Sequence, residues 1–378
     1  MRVNKIYTHK DLSNFKNLLP DNSEVFIIAD KNLSGYFKYF DGYKIIKINS
    51  LEKEKTLQTV EKIIAELLDF GADRNCFIIG FGGGIITDIT GFVASIYKRG
   101  VKFGLIPTTL LAQVDASIGG KNGVNLNSYK NIIGTITQPM WIYQTLEVLQ
   151  TLPLREFKAG VAEILKTFII FDKKFYQTSL SSLEYIISNY ESEKCKMQQL
   201  YSSTEYSVSN CYSNKYKVEN SSLECLHSRL ESSITACASY KCQIVQKDEK
   251  EKGERRLLNL GHTFAHAIEK LYGDKISHGE AVSIGIVIAA KISVMLKLAQ
   301  PELVNTLITD FRSVGLPALL SDFNISLQNI KENLMDAICK DKKTIGDKIH
   351  FIVPKEIGNV EDILISLTDL KEVINDLC

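Results

Sequence analysis

Six histidines are present, and three of them, His262, His266 and His278, fall within 17 residues. His262 and His266 are four apart in a stretch of helical periodicity, so their rings share one face. A third imidazole beyond the helix end, joined by an acidic ligand from elsewhere, would complete a divalent-metal site. Spacing does not decide which of His262 and His266 is the ligand. The same spacing is also met by two helix-surface histidines and one loop histidine.

A second group is glycine. The strand-like run Cys76-Phe-Ile-Ile leads into Gly80-Phe-Gly-Gly-Gly84, with Asp88 and a helical stretch following. Bare backbone amides there can approach a phosphate at a helix N-terminus. Ile85 stands where G-x-G-x-x-G needs its third glycine, so a structural tight turn fits the residues as well. The third group is basic: Lys98-Arg99, Lys121, Lys130, Lys166, Lys241, Arg255-Arg256 and Lys342-Lys343. Solvated surface is the default for such residues. Lys121 differs, because Ser117-Ile-Gly-Gly-Lys-Asn-Gly123 is a tight loop that presents its side chain. Asp115 ends the apolar stretch Leu110 to Val114, where a carboxylate needs a partner. Lys166 lies three residues after Glu163, a pair worth only tenths of a kcal/mol on a helix surface.

These residues need elements to place them. Over the first 150 residues, apolar runs alternate with amphipathic stretches. Glu24 to Ala29, closed by Asp30, reads as a buried strand, and Leu57 to Phe70 as a helix. Cys76 to Ile79 reads as a strand, Thr87 to Ser95 as a helix capped by Thr87 or Asp88, and Val101 to Ile106 as a strand. Strands alternating with helices predict a parallel sheet covered on both faces. Beyond Pro153, helical periodicity dominates in Arg155–Ile170, Leu257–Leu271, Glu280–Leu298 and Pro301–Val314. Strand-like runs are rare until Lys348–Val353. The expected organisation is α/β: a Rossmann-like parallel-sheet domain over 1–153, then a mainly α-helical domain over 154–378. A Ser-, Tyr-, Asn- and Glu-rich elaboration spans about 181–233.

The chain's 378 residues exceed one ordinary core. A formal charge of +1 gives no long-range attraction to nucleic acid or an anionic membrane, so any anion must be held by local basic groups. The N-terminal stretch lacks a signal-peptide core, and the longest strongly apolar run, Ala281–Ala290, is far short of the roughly 20 residues of a span. The eight cysteines include no C-x-x-C, which suits reduced structural thiols. The expected compartment is the cytoplasm.

Taken together, the motifs resemble the 3-dehydroquinate synthase family. The likeness runs through Gly82-Gly-Gly-Ile-Ile-Thr-Asp88, Arg99-Gly100, Pro107-Thr-Thr-Leu-Leu-Ala-Gln-Val-Asp115, Gly119-Gly-Lys-Asn-Gly-Val-Asn125 and Lys130-Asn131-Ile-Ile-Gly134. It continues in Ala162-Glu-Ile-Leu-Lys166, Asn259-Leu-Gly-His-Thr-Phe-Ala-His266 and Ser277-His-Gly-Glu280. Two departures stand out: Gln144, where many relatives carry an acidic residue, and Asn122, where Thr is usual.

The resemblance implies that Glu163, His262 and His278 bind a divalent metal, zinc or cobalt(II), leaving His266 to handle a proton or contact phosphate. It implies NAD held by Gly83 and Gly84 with Asp88, Thr108, Thr109, Lys130 and Thr151. Asp30 would meet the adenosine ribose, with Glu52 and Lys55 nearby. A sugar-acid phosphate substrate would be gripped by Lys121, Asn131, Lys166, Lys241, Arg255 and one of Lys342 or Lys343. Asp115, Glu251 and Asn259 would complete the pocket. Arg99 would reach a neighbouring subunit's site, implying a homodimer. The implied reaction converts 3-deoxy-D-arabino-heptulosonate 7-phosphate to 3-dehydroquinate and phosphate. It runs by transient oxidation, phosphate elimination, re-reduction and intramolecular aldol closure. Another sugar phosphate cyclase, of the 2-deoxy-scyllo-inosose or epi-valiolone synthase type, is the alternative.

Overall fold

The computed structural model describes residues 5–127, 129–192, 217–339, 344–345 and 347–376. Lys342 and Lys343 lie outside them, as does 193–216 of the polar elaboration. The described residues form two compact units. One draws on Met1–Phe157, Glu191–Lys217 and Ile234–Lys250, the other on Lys158–Tyr190, Val218–Ser233 and Glu251–Cys378.

The first unit contains β1 (Lys5–His9), β2 (Val25–Asp30), β3 (Lys44–Ile48), α1 (Leu57–Asp69), β4 (Phe77–Gly82), α2 (Gly84–Ile96) and β5 (Lys102–Pro107). A hairpin of β6 (Lys121–Leu126) and β7 (Tyr129–Ile136) precedes β8 (Trp141–Thr145). Six strands join in one sheet, in the order β1-β8-β5-β4-β2-β3, and every pairing is parallel. Every residue of β2 and β4 is buried, as expected of central parallel strands covered on both faces. The sheet's two apolar faces separate into two clusters, one built on Phe26, Ile28, Ile78 and Ile89, the other on Ile27, Ile79, Phe40 and Tyr143. Alternation along β2 and β4 sends neighbouring residues to opposite faces.

Helix α2 starts three residues earlier than its sequence suggests. Its N-cap is Gly83, with no side-chain cap, so Thr87 and Asp88 sit inside the helix. Glycine at that position leaves the first amides bare, which a Thr or Asp cap would not. Further along, a Cβ on Gly91 would lie 1.9 Å from Asn122 Oδ1. Asn122 in turn donates to the Gly120 and Thr137 carbonyls, at 2.8 and 2.9 Å. The Thr-to-Asn departure is thus a buried amide that fastens the base of the hairpin under α2. Gln144 is likewise structural: fully buried on β8, it donates to the Gln113 carbonyl at 2.6 Å.

In chain order the mainly helical part runs through α3 (Leu154–Phe171), α4 (Lys173–Ser188), α5 (Lys217–Lys247), α6 (His262–Tyr272), α7 (His278–Met295), α8 (Glu302–Ser313) and α9 (Leu327–Cys339). It closes with the antiparallel strands β9 (Thr344–Ile345), β10 (Lys348–Glu356) and β11 (Asn359–Ser366), and α10 (Leu367–Asp376). The second unit centres on α7. That helix is long and apolar enough to cross a membrane, yet 72% of it is buried inside the fold. A helix apolar on all sides belongs to a core. The expected single helix Leu257–Leu271 is instead two pieces. A 3-10 turn, Glu254–Asn259, ends before Gly261, whose φ of 77° breaks the chain ahead of α6.

Candidate active site

Three elements of the second unit bring Glu163, His262 and His278 together. Glu163 is on α3, fully buried. His262 is the first residue of α6 and His278 the first of α7. Gly285, on α7, lets α6 begin where it does, because a Cβ there would lie 2.2 Å from the Gly261 carbonyl oxygen. At the head of α7 the Glu280 carboxylate accepts the Ser277 backbone N–H at 2.7 Å, which fixes the turn carrying His278.

His278 Nε2 lies 3.3 Å from Glu163 Oε1, and His262 Nε2 lies 3.8 Å from the same oxygen. One donor atom from each residue falls within 4.8 Å of the others. Lys166 Nζ is 2.5 Å from Glu163 Oε2, with both side chains buried. Despite that approach, neither oxygen of Glu163 receives a well-directed hydrogen bond. Lys166 already sets one cation beside Oε2, whereas Oε1 faces the two imidazoles and is the oxygen placed to share a second cation with them. The residues therefore fit a divalent ion, and one carboxylate with two imidazoles leaves coordination positions for substrate oxygens. Burial disfavours a charged His278, but Glu163 and Glu269 beside it outweigh that and push its pKa up to about 10. The surroundings favour positive charge at this point.

Other expected residues of the second unit lie along the same segments. His266 is exposed on α6, its ring 5.4 Å from that of His262 and at 89° to it. Arg255 is buried in the 3-10 turn, and Asn259 Nδ2 donates to Glu251 Oε1 at 2.5 Å.

In the first unit, the chain leaves β2 toward β3 on one side and β4 toward β5 on the other. The switch point between β2 and β4 is where open α/β sheets hold their ligands. Asp30 ends β2, where it accepts from Ser50 Oγ at 2.6 Å and from Asn32 N at 3.0 Å. Gly83 and Gly84 open α2 beside it. A Cβ on Gly83 would meet Thr109 Cγ2 at 2.9 Å, and one on Gly84 would meet Ala116 Cβ at 3.2 Å. Glycine at both positions thus lets Thr109 and Ala116 pack against the turn, and the first turn of α2 carries no acidic residue, which suits an anion at its amides. Thr108 N donates to the Gly82 carbonyl at 3.0 Å, which fixes the ends of β4 and β5.

Near the same helix, Lys55 Nζ reaches Asp88 Oδ2 at 2.5 Å and Asn131 Oδ1 at 2.6 Å. Asn131 N donates to Asn125 Oδ1 at 2.8 Å, and Asn125 Nδ2 donates to Glu52 Oε1 at 2.7 Å. Burial pushes the Asp88 carboxyl up, while Lys55 pulls it back. Lys241 Nζ donates to Asp115 at both Oδ1 (2.7 Å) and the carbonyl (2.6 Å), within the π-helical turn Ala112–Ala116. Arg99, Lys121, Lys130 and Thr151 are exposed. Lys98, Arg99 and Gly100 have successive φ values of 47°, 71° and 112°. Two residues without an expected role also enter: Asn125, linking Glu52 to Asn131, and Glu269. The seven-residue step from His262 to Glu269 was a usable signal, since it returns to one helical face.

Solved structures share this fold. A 2-deoxy-scyllo-inosose synthase complexed with carbaglucose-6-phosphate, NAD+ and Co2+ superposes with a TM-score of 0.74 at 24% identity, covering 98% of this chain and 96% of that one. A 2-epi-5-epi-valiolone synthase from Streptomyces hygroscopicus subsp. jinggangensis, with NAD+ and Zn2+ bound, gives 0.77 at 22% identity, covering 100% and 97%. The fold of the chain is the one these two structures have. The sequence is similar to the 3-dehydroquinate synthase of Buchnera aphidicola subsp. Cinara cedri, 39% identical over 93% of this chain and 85% of that one. It is also similar to that of Thermodesulfovibrio yellowstonii, 36% identical over 99% and 88%. The 3-dehydroquinate synthase N-terminal model matches residues 45–159 and the C-terminal model 210–344, so the chain belongs to the 3-dehydroquinate synthase family.

Proposed function

We propose that this chain converts 3-deoxy-D-arabino-heptulosonate 7-phosphate to 3-dehydroquinate and phosphate, a carbon–oxygen lyase reaction of the shikimate pathway. It is the second step toward chorismate and the aromatic amino acids, and the proposed setting is a cytoplasmic homodimer. The observation that carries the reading is the buried Glu163 carboxylate with two imidazole Nε2 atoms facing one of its oxygens. Members of this family at up to 39% identity carry the same named activity.

Glu163, His262 and His278 would hold the divalent ion, zinc first and cobalt(II) second. When bound, it polarises substrate oxygens. The Gly83–Gly84 turn, with Thr108, Thr109 and Lys130, would hold NAD, which supplies a reversible oxidation with no net redox change. Asp30, Glu52, Lys55, Asp88, Asp115 and Thr151 would complete or support that cofactor's site. The remaining work falls to the chain's own side chains. Lys121, Asn131, Lys166, Lys241 and Arg255 would bind the substrate's phosphate and carboxylate. The Lys342–Lys343 pair would add one contact more. Cations suit a phosphate that is both handle and leaving group. The exposed imidazole of His266 would carry a proton to or from the departing phosphate. Glu251 and Asn259 would orient one another at the same substrate. Arg99, held out on its positive-φ turn, would serve a second copy's site. The division between NAD-binding residues 1–153 and metal-binding residues 154–378 belongs to this proposal.

Phosphate release from heptulosonate phosphate, measured with zinc and NAD and again after chelation, tests the reading. Sedoheptulose 7-phosphate and glucose 6-phosphate, run alongside, separate it from the other cyclases. NADH accumulating stoichiometrically would instead identify a simple dehydrogenase.

A further inference from the structure

The two histidines are oriented by different means. His262 Nδ1 lies 3.1 Å from the Leu260 carbonyl, a backbone acceptor, and its Nε2 faces Glu163 Oε1 at 3.8 Å. His278 has a carboxylate on each side: Nε2 is 3.3 Å from Glu163 Oε1, and Nδ1 is 3.3 Å from Glu269 Oε2. The Glu269 side chain is only 10% exposed. Glu269 follows His262 by two helical turns on α6, so one helix face carries a candidate ligand and then a group aimed at the other ligand.

We propose that Glu269 is a positioning residue for the metal centre. Its carboxylate accepts the Nδ1 proton of His278, fixes that tautomer and turns Nε2 toward Glu163. The inference rests on the metal reading above and adds a residue that does not itself touch the ion. Both imidazoles then share one tautomer, since each Nδ1–H has an oxygen acceptor and each Nε2 keeps its lone pair for a cation. The acceptor for His262 is main chain and immune to substitution. The acceptor for His278 is a side chain, so this half of the centre can be tuned. A charged acceptor also makes the imidazole a stronger donor to a cation than the peptide carbonyl does.

The test uses full-length protein stripped of metal, as wild type, Glu269→Gln, Glu269→Ala and Glu163→Ala. Zinc affinity is read by competition with a chromophoric chelator, and the melting temperature of each metal-free protein is recorded. Glu269→Ala is expected to weaken zinc about 10- to 100-fold. Glu269→Gln keeps an acceptor without the charge and should recover part of that loss. Metal-free melting temperatures should match wild type. Zinc binding by Glu269→Ala equal to wild type overturns the proposal. So does a loss that tracks a lowered metal-free melting temperature, because Glu269 would then be tying α6 to α7 and nothing more. If Glu163→Ala binds zinc as wild type does, the metal reading falls, and this inference with it.

Discussion

Gly279 packs directly on Ala159: a Cβ added to Gly279 would lie 2.3 Å from the Ala159 Cα. Ala159 is one turn before Glu163 on α3, and Gly279 follows His278 on α7. The closeness of carboxylate and imidazole is therefore set by two backbones touching where there is no side chain. Gly279→Val should force the helices apart. The expected cost is about 1–3 kcal/mol of stability, with zinc affinity reduced by at least tenfold. Thermal melting of the metal-free protein and chelator competition measure the two effects separately.

Removing a ligand should be more severe for turnover than for folding. His278→Ala is expected to lower phosphate release by about a thousandfold or more, since polarisation by a bound ion is worth several kcal/mol. Wild-type activity in that variant would take His278 out of the site. Chelation should silence the wild-type enzyme and lower its melting temperature, and added zinc should restore both.

Lys55 is 5% exposed and holds Asp88 and Asn131 together. Lys55→Met leaves Asp88 without its counter-ion, at a cost on the order of 3 kcal/mol. The same change frees the Asn131 amide, so KM for NAD or substrate should rise as well. Pairing it with Asp88→Asn should recover much of the stability but not the KM, a double-mutant cycle that separates folding from binding.

Asp322 gives a pH-dependent prediction. Burial alone would raise its pKa, but the N–H groups of Ala318 and Leu319 and the Arg312 guanidinium hold the carboxyl below the usual range. A depressed folded pKa stabilises fully above the unfolded value of about 3.9. That stabilisation is lost as pH falls through the folded value. Urea midpoints of Asp322→Asn should therefore depend less on pH below about pH 4 than those of wild type. Parallel curves would rule this out.

Three of the six strands of the parallel sheet were legible in the sequence for physical reasons. Val25–Asp30 and Phe77–Gly82 are unbroken apolar runs, because parallel strands are covered on both faces. Helices α1, α3 and α8 carry a clear 3.6-residue stripe. The β6–β7 hairpin was not legible. Lys121-Asn-Gly-Val-Asn-Leu has neither an apolar run nor clean alternation, and it folds because Asn122 is buried against Gly91. The start of α2 was placed at Thr87 or Asp88, because glycine caps leave no side-chain signal. The Leu257–Leu271 stripe hid a break at Gly261, a residue that only its φ of 77° identifies as a stop. Spacing could pair His262 with His266, yet the nearer imidazole to Glu163 is His278, and periodicity says nothing about where α3 lies. That neighbour came from the family's motifs.

The ion pair between Asp115 and Lys241 spans 126 positions of the chain. Ala238, one turn earlier on the same helix, is buried in the sheet's own apolar cluster. A growing polypeptide therefore emerges with every strand of the six-stranded sheet well before the segment that neutralises Asp115 and seals that cluster. An amino-terminal fragment cut after the last of those strands would lack the Lys241 partner of Asp115 and the Ala238 cover of that cluster. It should aggregate where the full-length chain does not, unless a peptide covering Ile234–Lys250 is supplied in trans.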